Sequence, residues 1–335
     1  MYEGEKMKIV VVGLGSMGRR RIRLLKQISP DFEIIGIDSN PERQKQAEDE
    51  LGIKMQSDLG KTLVDLKPEC AVISTSPLSH ASLIEICLKH GCHVFTELNL
   101  VSDKYDENMF LAKEQNKTLF LSSTFLYRDE IKYVAEKVAN TKGSLNYNYH
   151  VGQYLPDWHP WESIQNYFVG DKRTNGCREL FAIELPWIIK TFGEIKSYKV
   201  LSDRNSQLPI EYDDNYLLLV EHTNGNKGVI CVDVVSRKAV RNLEIYGENL
   251  YLTWDGTPLG LKEYDYENKA EKNINLYASV DKQEGYASFV IENAYRNELE
   301  MFINMVNGKG SAAYTFEEDK HVLAMIDDIE AGNNK

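Results

Sequence analysis

An apolar segment that runs directly into three spaced glycines limits the possible folds of this chain more than any other feature. KIVVVG (8–13) leads into Gly13, Gly15 and Gly18, which follow the pattern G-x-G-x-x-G. At a strand-to-helix turn, Gly13 allows the tight turn, Gly15 lets the backbone approach a pyrophosphate, and Gly18 lets helix and strand pack closely. The start of the helix then offers N–H groups to the phosphate oxygens. The motif predicts a dinucleotide-binding unit, although an ordinary glycine-rich turn would also contain these residues.

Short apolar runs alternate with longer segments of helical character over the first 120 or so residues. The runs are candidate strands: KIVVVG (8–13), FEIIGID (32–38), CAVIST (70–75), CHVFTE (92–97) and TLFLSS (118–123). Continuous apolar strands that alternate with helices are typical of a parallel sheet covered on both faces. We therefore expect the chain to begin with an α/β domain built on a doubly wound parallel sheet.

Asp38 closes the second candidate strand. A carboxylate at this position accepts hydrogen bonds from the adenosine ribose and repels a 2′-phosphate, which predicts NAD rather than NADP as the cofactor. Asp38 could instead be a turn or N-cap residue ahead of the next helix. The three arginines after the glycine motif, Arg19, Arg20 and Arg21, are expected to form the solvated start of a helix, although one of them could reach a phosphate.

Composition limits the partners and the compartment. The 335 residues are 42% hydrophobic and carry a formal charge of -12, so the chain is long enough for two domains with cores. Its acidity argues against nucleic acid and anionic membranes as partners. The five cysteines include no C-x-x-C pair, so neither a disulfide framework nor a metal site is predicted. No apolar run could span a bilayer, and the charged N-terminus is unlike a signal peptide. We expect a cytoplasmic protein that binds a small molecule.

The pattern changes in the second half to segments typical of antiparallel strands: SLNYNYHVGQYL, YLLLVEHT, KGVICVDVVSR and NLEIYGENLYLTWDG. Asn224-Gly225 predicts a hairpin turn between two of them. Runs of strands after a βα unit are typical of an α+β domain. We expect residues 1–123 to form a Rossmann domain. Residues 124–335 would form a substrate-binding and oligomerisation domain with a large, mostly antiparallel open sheet, and its C-terminal helices could pack back on the first domain.

The same strands predict self-association. YLLLV and VICVDVV carry more apolar residues than one packed sheet face requires. Because a large apolar patch is seldom left bare on a monomer, we expect a homo-oligomer, a dimer or a tetramer, that uses the open face of this sheet.

Taken together, the motifs resemble those of the Gfo/Idh/MocA family of sugar and inositol oxidoreductases. That family typically shows the glycine motif, an acid after the second strand, a T-P-P-x-x-H-like turn and then G-K-H-V-x-x-E-K-P. This chain has the three glycines, Asp38, TSPLSH (75–80) and GCHVFTELN (91–99). The resemblance implies NAD as cofactor, with Glu97 near the nicotinamide ribose. The implied cofactor contacts are Gly13, Gly15, Ser16, Met17, Gly18, Asp38, Thr75, Ser76, Pro77, His80 and Glu97.

The chain departs from the family pattern where proton transfer is expected. Oxidation of a secondary alcohol needs a group that takes the hydroxyl proton, and in the family this is the lysine of E-K-P, helped by an aspartate and a histidine on a later helix. The lysine position is Leu98 here. When that helix is aligned by Gly176 and Gly193, Leu180 and Ile183 replace the aspartate and the histidine. Either the proton relay has been rebuilt, or the protein binds its ligands without dehydrogenase chemistry.

Two residues are the candidate catalytic groups of a rebuilt relay. His159 has an ordinary pKa of about 6.5, which suits proton exchange at neutral pH. Glu179 lies one residue before the usual aspartate. His159 could instead pack in a turn, and Glu179 could form a salt bridge with Arg178.

The segment 151–176, VGQYLPDWHPWESIQNYFVGDKRTNG, mixes aromatic residues with prolines and charges. This mixture is typical of a binding loop, and YLPDWHPWE resembles a segment of family members linked to surface-polysaccharide sugars. The predicted substrate contacts are Tyr154, Trp158, Trp161, Arg178 and Arg237. Aromatic crowding is also typical of a plain core, and Arg237 could be an exposed charge at a strand end.

The sequence predicts an NAD-dependent oxidoreductase that acts on a CH–OH group of a sugar or nucleotide-activated sugar, in surface-polysaccharide biosynthesis. Two alternatives remain open. One is a non-catalytic NAD- and sugar-binding sensor or regulatory protein, and the other is a lyase, epimerase or hydrolase that uses NAD transiently.

Overall fold

The computed structural model describes residues 6–281 and 291–335 of the chain. The chain divides into two units. The first consists of Met1–Thr124 and Tyr295–Lys320, and the second of Phe125–Ala294 and His321–Lys335. The C-terminal part of the chain therefore contributes residues to both units, and the functions assigned to the two domains remain predictions.

Six parallel strands form the sheet of the first unit: β1 (Lys8–Val12), β2 (Glu33–Ile37), β3 (Lys54–Gln56), β4 (Cys70–Ile73), β5 (His93–Thr96) and β6 (Leu119–Leu121). Their order is β3-β2-β1-β4-β5-β6, and all neighbours pair in parallel. The predicted doubly wound α/β architecture is confirmed. Strand β3 was not predicted from the sequence, because its three residues, KMQ, include a single apolar side chain.

The centre of this sheet consists of residues from the continuous apolar runs. Val10 and Val11 of β1 and Ala71 and Val72 of β4 have no exposed surface, because helices cover both faces of such a sheet. The chain leaves β1 toward β2 on one side and returns to β4 on the other. This reversal opens a crevice at the carboxyl ends of β1 and β4, where open α/β sheets bind ligands.

Five helices connect these strands: α1 (Ser16–Ile28), α2 (Pro41–Leu51), α3 (Leu59–Leu66), α4 (Pro77–Lys89) and α5 (Tyr105–Glu114). Local sequence determines where some of them begin. The Asn40 side chain accepts hydrogen bonds from the N–H groups of Glu42 and Arg43 at the start of α2, as N-cap residues do. A proline stands at the first position of α2 and of α4, where its missing N–H costs nothing.

Eight strands form the sheet of the second unit: β7 (Asn146–Gly152), β8 (Ile195–Asp203), β9 (Asn215–His222), β10 (Lys227–Asp233), β11 (Val240–Gly247), β12 (Leu250–Trp254), β13 (Lys262–Asp265) and β14 (Ala270–Asn273). Their order is β14-β13-β12-β11-β7-β10-β9-β8. Only β7 and β10 pair in parallel among them. The predicted mostly antiparallel sheet is confirmed, and Gly225, with φ of 90°, lies in the turn between β9 and β10.

The remaining helices are α6 (Asp129–Asn140), α7 (Gly176–Phe192), α8 (Glu292–Val306) and α9 (Phe316–Glu330). Helix α7 is the most apolar of these four helices, and its Phe181 and Trp187 are completely buried. It begins at Asn175, whose side chain accepts a hydrogen bond from the N–H of Arg178. It ends at Gly193, where φ is 96° and a side chain would be strained.

The sheet of the second unit keeps one face open. Along β9, Leu218 is buried, whereas Leu217 and Leu219 on either side of it are exposed. Leu201 on β8 pairs with Leu217 and is 74% exposed. These three leucines form what we call the leucine patch.

Within residues 6–281 and 291–335, no helix combines the length and apolar composition needed to cross a membrane. The five cysteines are free thiols. The same residues contain no group of three His, Cys, Asp or Glu side chains that could hold a metal ion.

Candidate functional site

The glycine motif forms the turn between β1 and α1, and its three glycines have different reasons to be glycine. Gly13 has φ of 89°, and a Cβ there would lie 2.5 Å from the carbonyl oxygen of Ser74. A Cβ on Gly18 would lie 1.8 Å from the carbonyl oxygen of Gly13. A Cβ on Gly15 would meet no described atom within 4 Å. Packing therefore requires Gly13 and Gly18, whereas Gly15 borders open space at the start of α1, as a pyrophosphate site needs.

Asp38 connects the glycine loop to the end of β2 through a hydrogen bond. Its Oδ2 accepts a hydrogen bond from the N–H of Leu14 at 2.8 Å, and its Oδ1 accepts one from the N–H of Asn40, also at 2.8 Å. The turn role considered for Asp38 is therefore present. Each carboxylate oxygen keeps further acceptor capacity, so the predicted ribose contact is compatible with this geometry.

His80 holds the turn at the end of β4. It is buried, with Nε2 at 3.0 Å from the carbonyl oxygen of Thr75 and Nδ1 at 2.7 Å from Oδ1 of Asn99. Burial lowers the pKa of His80 below its usual range, so the ring is neutral at physiological pH. A neutral ring has one N–H, which Nε2 donates to the Thr75 carbonyl, and Nδ1 can then accept from Asn99 once the oxygen and nitrogen of that amide are exchanged. His80 would therefore affect the cofactor through the position of the Thr75–Pro77 turn. Asn99, at the position where the resembled family has proline, provides one of the two contacts that hold the His80 ring.

Glu97 is paired with an arginine that was expected in solvent. Nε of Arg21 lies 2.6 Å from Oε1 of Glu97, and Nη2 lies 2.8 Å from Oε2. Arg20 and Arg21 are both buried, so the prediction of a solvated arginine run is wrong for these two residues. Their side chains lie on the inner side of α1, where the Arg20 guanidinium lies 4.5 Å from the centre of the Tyr295 ring.

In the second unit, the loop between β7 and α7 stacks three rings. The His159 ring lies 4.4 Å from the Tyr167 ring and 5.3 Å from the Trp161 ring, with 17° between the planes in both cases. Nδ1 of His159 is 3.5 Å from Oε2 of Glu162. Trp161 is 78% exposed, so one aromatic face remains available to a ligand.

Three enclosed polar atoms of this region have no hydrogen-bond partner among the residues that the structure describes: Nδ1 of His159, Oη of Tyr167 and Oε2 of Glu179. An enclosed polar atom without a partner costs about 1–3 kcal/mol. Such atoms are rare in folded proteins, and each calls for an explanation such as a water, an ion or a catalytic role. We refer to His159, Tyr167 and Glu179 as the unpartnered trio.

Burial and charge affect two members of the trio, Glu179 and Tyr167. Burial raises the pKa of Glu179 from its ordinary value to about 7. Burial, followed by the charges of Glu179 and Glu162, raises the pKa of Tyr167 to about 12. Near neutral pH, Glu179 can therefore exchange a proton, while Tyr167 keeps its proton and can donate a hydrogen bond.

The neighbouring Arg178 does not pair with Glu179. Its Nη1 lies 2.5 Å from Oε2 of Glu330, and its Nη2 lies 2.7 Å from Oδ1 of Asp327. The salt bridge considered for Glu179 is thus absent from the structure. Because the Arg178 side chain is buried and occupied by two carboxylates, this geometry gives no support to its predicted contact with substrate.

The other predicted substrate residues form a second group. The Arg237 guanidinium lies 4.0 Å from the centre of the Tyr154 ring, and Nε1 of Trp158 donates to the carbonyl oxygen of Gln153 at 3.3 Å. Arg237 is exposed. A cation held over an aromatic face can still bind an anionic group.

Residues 7–123 match the model of the Gfo/Idh/MocA family, which is described as an oxidoreductase family with an NAD-binding Rossmann fold. The match includes every predicted cofactor contact. The first unit is similar to the Gfo/Idh/MocA family over residues 7–123. Its cofactor is NAD, which agrees with the open space beside Gly15.

Solved structures show the same fold over nearly the whole chain. The WlbA dehydrogenase from Bordetella pertussis, in complex with NADH and UDP-GlcNAcA, is 17% identical and superposes with a TM-score of 0.79 over 98% of this chain and 96% of its own. UDP-N-acetylglucosamine 3-dehydrogenase GnnA from Acidithiobacillus ferrooxidans is 16% identical, with a TM-score of 0.72 over 98% of this chain and 97% of its own.

A third protein with this fold binds a different kind of ligand. Biliverdin reductase from Synechocystis, in complex with biliverdin and NADP+, is 15% identical, with a TM-score of 0.75 over 98% of this chain and 99% of its own. A comparison with curated protein sequences gave no match. Such low identities show the fold and leave the substrate open.

The three positions at which the sequence analysis predicted the loss of the family's proton relay carry hydrocarbon side chains. Leu98 is half-buried at the end of β5, Leu180 is buried, and Ile183 is half-buried on α7. Glu179 stands one residue before Leu180, whereas His159 and Tyr167 lie in the loop that precedes α7.

Sequence reasoning left two parts of the site out of its predictions. Tyr167 was one of several loop aromatics, and only its contacts with His159 and its enclosed hydroxyl distinguish it. Arg21 stands four residues before Leu25, a buried position of α1. Since residues four apart share a helix face, its burial could have been predicted from that spacing.

Proposed function

We propose that this protein is an NAD-dependent oxidoreductase acting on a CH–OH group of a sugar or nucleotide-activated sugar, with a proton relay rebuilt from the unpartnered trio. The observation that carries the proposal is the set of three enclosed polar atoms without partners in a chain whose first unit binds NAD. A role in surface-polysaccharide biosynthesis is the part of the proposal that rests on resemblance alone.

In the oxidising direction, the reacting alcohol loses a hydride from carbon and a proton from oxygen, and a C=O bond forms. NAD, when bound, accepts the hydride. Glu179 is the proton acceptor, because a carboxylate with a pKa of about 7 is ionised in half of the molecules at neutral pH. Tyr167 donates a hydrogen bond to the substrate oxygen, and His159, stacked on Tyr167, holds that ring in place.

The surroundings of the trio suit a sugar. The exposed face of Trp161 offers a flat apolar surface to the C–H groups of a sugar ring. Arg237, exposed and stacked on Tyr154, could bind a phosphate of an activated sugar. Of the two solved dehydrogenases described above, GnnA is named for a UDP-sugar and WlbA was solved in complex with one. Both agree with a nucleotide-activated substrate.

The test is a screen of nucleotide sugars by nicotinamide absorbance, followed by His159→Ala and Glu179→Gln on the best substrate. We expect turnover to fall by about 100-fold or more for at least one of them, while NAD affinity is kept, because general acid–base groups contribute on that order. Glu211→Gln, at an exposed position of the same unit, is the matched control and should turn over normally. Normal turnover of both trio variants would place the relay elsewhere.

A sensor or regulatory protein is the second candidate, favoured by the hydrocarbon at Leu98, Leu180 and Ile183. It requires that NAD and a sugar ligand bind while no substrate changes the nicotinamide absorbance. Product formation without net NADH would instead indicate a lyase, epimerase or hydrolase. Leu98→Lys helps to separate these outcomes, since a restored cation should create activity only where the remaining geometry is that of a dehydrogenase.

The protein is further proposed to be a homo-oligomer that buries the leucine patch. A groove on the sheet of the same unit is lined by polar residues such as Asn148, His150 and Glu244 together with apolar ones such as Val229 and Leu243. Apolar and polar areas side by side are typical of subunit interfaces.

A further inference from the structure

The Tyr212 side chain connects the two segments of the second unit that carry Tyr167 and Glu179. Its hydroxyl donates to the carbonyl oxygen of Val169 at 2.9 Å and accepts from the N–H of Gly176 at 3.4 Å. Val169 lies in the turn that follows Tyr167, and Gly176 is the first residue of α7, three residues before Glu179. A single hydroxyl therefore contacts the backbone of both segments.

A protonated hydroxyl suits this position, because one backbone partner needs a donor and the other needs an acceptor. The N–H of Gly176 is one of the first N–H groups of a helix, which have no carbonyl partner within the helix. Tyr212 is buried, and burial raises the pKa of its hydroxyl, so the proton needed to donate to Val169 is present at physiological pH. Phenylalanine would keep the ring and lose both hydrogen bonds.

The turn after Tyr167 is also supported from within its own loop. Oγ1 of Thr174 donates to the carbonyl oxygen of Phe168 at 2.5 Å. A Cβ on Gly170 would lie 2.6 Å from the carbonyl oxygen of Ile164, so the turn packs closely against the preceding one. Tyr212 adds a support from outside the loop, since it stands just before β9.

The groups around Tyr212 leave its hydroxyl available for these two hydrogen bonds. The charge of Asp214 acts on Tyr212, but the oxygens of Asp214 accept hydrogen bonds from two backbone N–H groups just after β8, at 2.9 Å each. Cys177 and Tyr167 also act on Tyr212. Both are neutral at physiological pH, because burial raises their pKa values.

We propose that Tyr212 is a positioning residue of the proton relay, whose hydroxyl holds the turn after Tyr167 against the first turn of α7 and so keeps Tyr167 beside Glu179. The inference rests on the proposed function, which assigns the trio to proton transfer. Tyr212 acts through two backbone groups and takes no part in the chemistry. Without its hydroxyl the turn separates from α7 and water reaches Glu179.

The first test needs no substrate. Burial raises the pKa of Glu179 to about 7, so Glu179→Gln should stabilise the protein more at pH 8 than at pH 5, by about 30-fold in the unfolding equilibrium constant. In Tyr212→Phe, water lowers the pKa of Glu179 towards its ordinary value. We expect the pH-dependent difference to fall below about fivefold there. Urea denaturation of the four proteins at both pH values measures it.

Tyr147→Phe is the matched control, because Tyr147 is a buried tyrosine of the same unit whose hydroxyl lies 3.0 Å from Nε2 of His222. It should destabilise the protein and keep the full pH-dependent effect of Glu179→Gln. If Tyr212→Phe behaves in the same way as this control, or does not fold, Tyr212 is a structural residue only and the proposal is overturned.

The second test uses the best substrate from the nucleotide-sugar screen. We expect Tyr212→Phe to lower turnover by about 10- to 100-fold, because small displacements of catalytic groups have effects of this order, and to leave NAD affinity unchanged. The acid limb of the pH profile should move to lower pH with the pKa of Glu179. Normal turnover with an unchanged profile would overturn the proposal. If no sugar is oxidised by the wild type, the proposed function fails, whereas the urea measurement still decides whether Tyr212 holds Tyr167 beside Glu179.

Discussion

At the scale of single residues, burial changes what Glu179 can do. An ordinary glutamate is ionised at neutral pH, whereas burial raises the pKa of Glu179 to about 7. The folded state therefore binds a proton between the ordinary pKa and about pH 7 that the unfolded state releases. Stability falls as pH rises through this window, because the unfolded chain binds fewer protons than the folded one.

This linkage predicts that Glu179→Gln stabilises the protein at pH 8 by roughly 1–3 kcal/mol, since each pKa unit corresponds to about 1.4 kcal/mol. At pH 5 the folded protein holds Glu179 protonated and glutamine resembles it, but the unfolded chain is still largely ionised, so the gain should fall to about 1 kcal/mol or less. Urea denaturation of both proteins at the two pH values measures the difference. Because the measurement needs no substrate, it tests the environment of Glu179 separately from catalysis. An equal stability difference at both pH values would contradict the raised pKa of Glu179.

At the scale of elements, helix α7 carries Glu179 and depends on its first turn. The Asn175 side chain accepts from the N–H of Arg178 and donates to Oε1 of Glu330 at 2.6 Å. Arg178 binds Glu330 from the same turn. The start of α7 is therefore tied to α9, and it presents Glu179 next to the loop that contains Tyr167.

We predict that Asn175→Ala lowers the free energy of unfolding by about 1–2 kcal/mol, as the loss of a helix N-cap usually does. Thermal or urea unfolding measures the loss. Asn175→Asp, which keeps the acceptor for the helix but not the donor to Glu330, is the informative comparison. It should destabilise as well, because it places a carboxylate beside Glu330. If Asn175→Asp has the same free energy of unfolding as the wild type, the helix cap alone accounts for the contribution of Asn175 to stability.

At the scale of the whole molecule, the leucine patch is the feature that a monomer would leave exposed. Leu219 is 61% exposed and lies on the same strand as Leu217. We predict an oligomer at micromolar concentration, and Leu219→Lys should shift it toward the 38.4 kDa chain, because a charge in an apolar interface is costly. Light scattering measures the mass.

Val64→Lys is the control for that experiment, since Val64 is an exposed apolar residue of the first unit. It should leave the mass unchanged. A wild-type particle with the mass of one chain would refute the predicted oligomer.

Sequence alone determined the local architecture. The glycine motif, the apolar runs and the hairpin turn depend on near neighbours along the chain, so strands, turns and the class of cofactor could be predicted from residues 8 to 123 and from Asn224-Gly225. The prediction that Leu98 replaces a family lysine likewise came from the sequence and its resemblance to the family. Boundaries shifted by a residue or two, because strand ends are set by the pairing of neighbouring strands.

Only the tertiary structure decided which polar side chains are enclosed and which are satisfied. Arg21 was predicted in solvent, yet its partners Glu97 and Glu298 lie far along the chain and meet it only in the folded unit. Arg178 and Glu179 are adjacent in sequence, but one is paired with α9 and the other has an enclosed oxygen without a partner. The reason is physical. Burial and hydrogen bonding depend on long-range packing, and packing determines both the pKa of Glu179 and the pairing of Arg21 with Glu97 and Glu298.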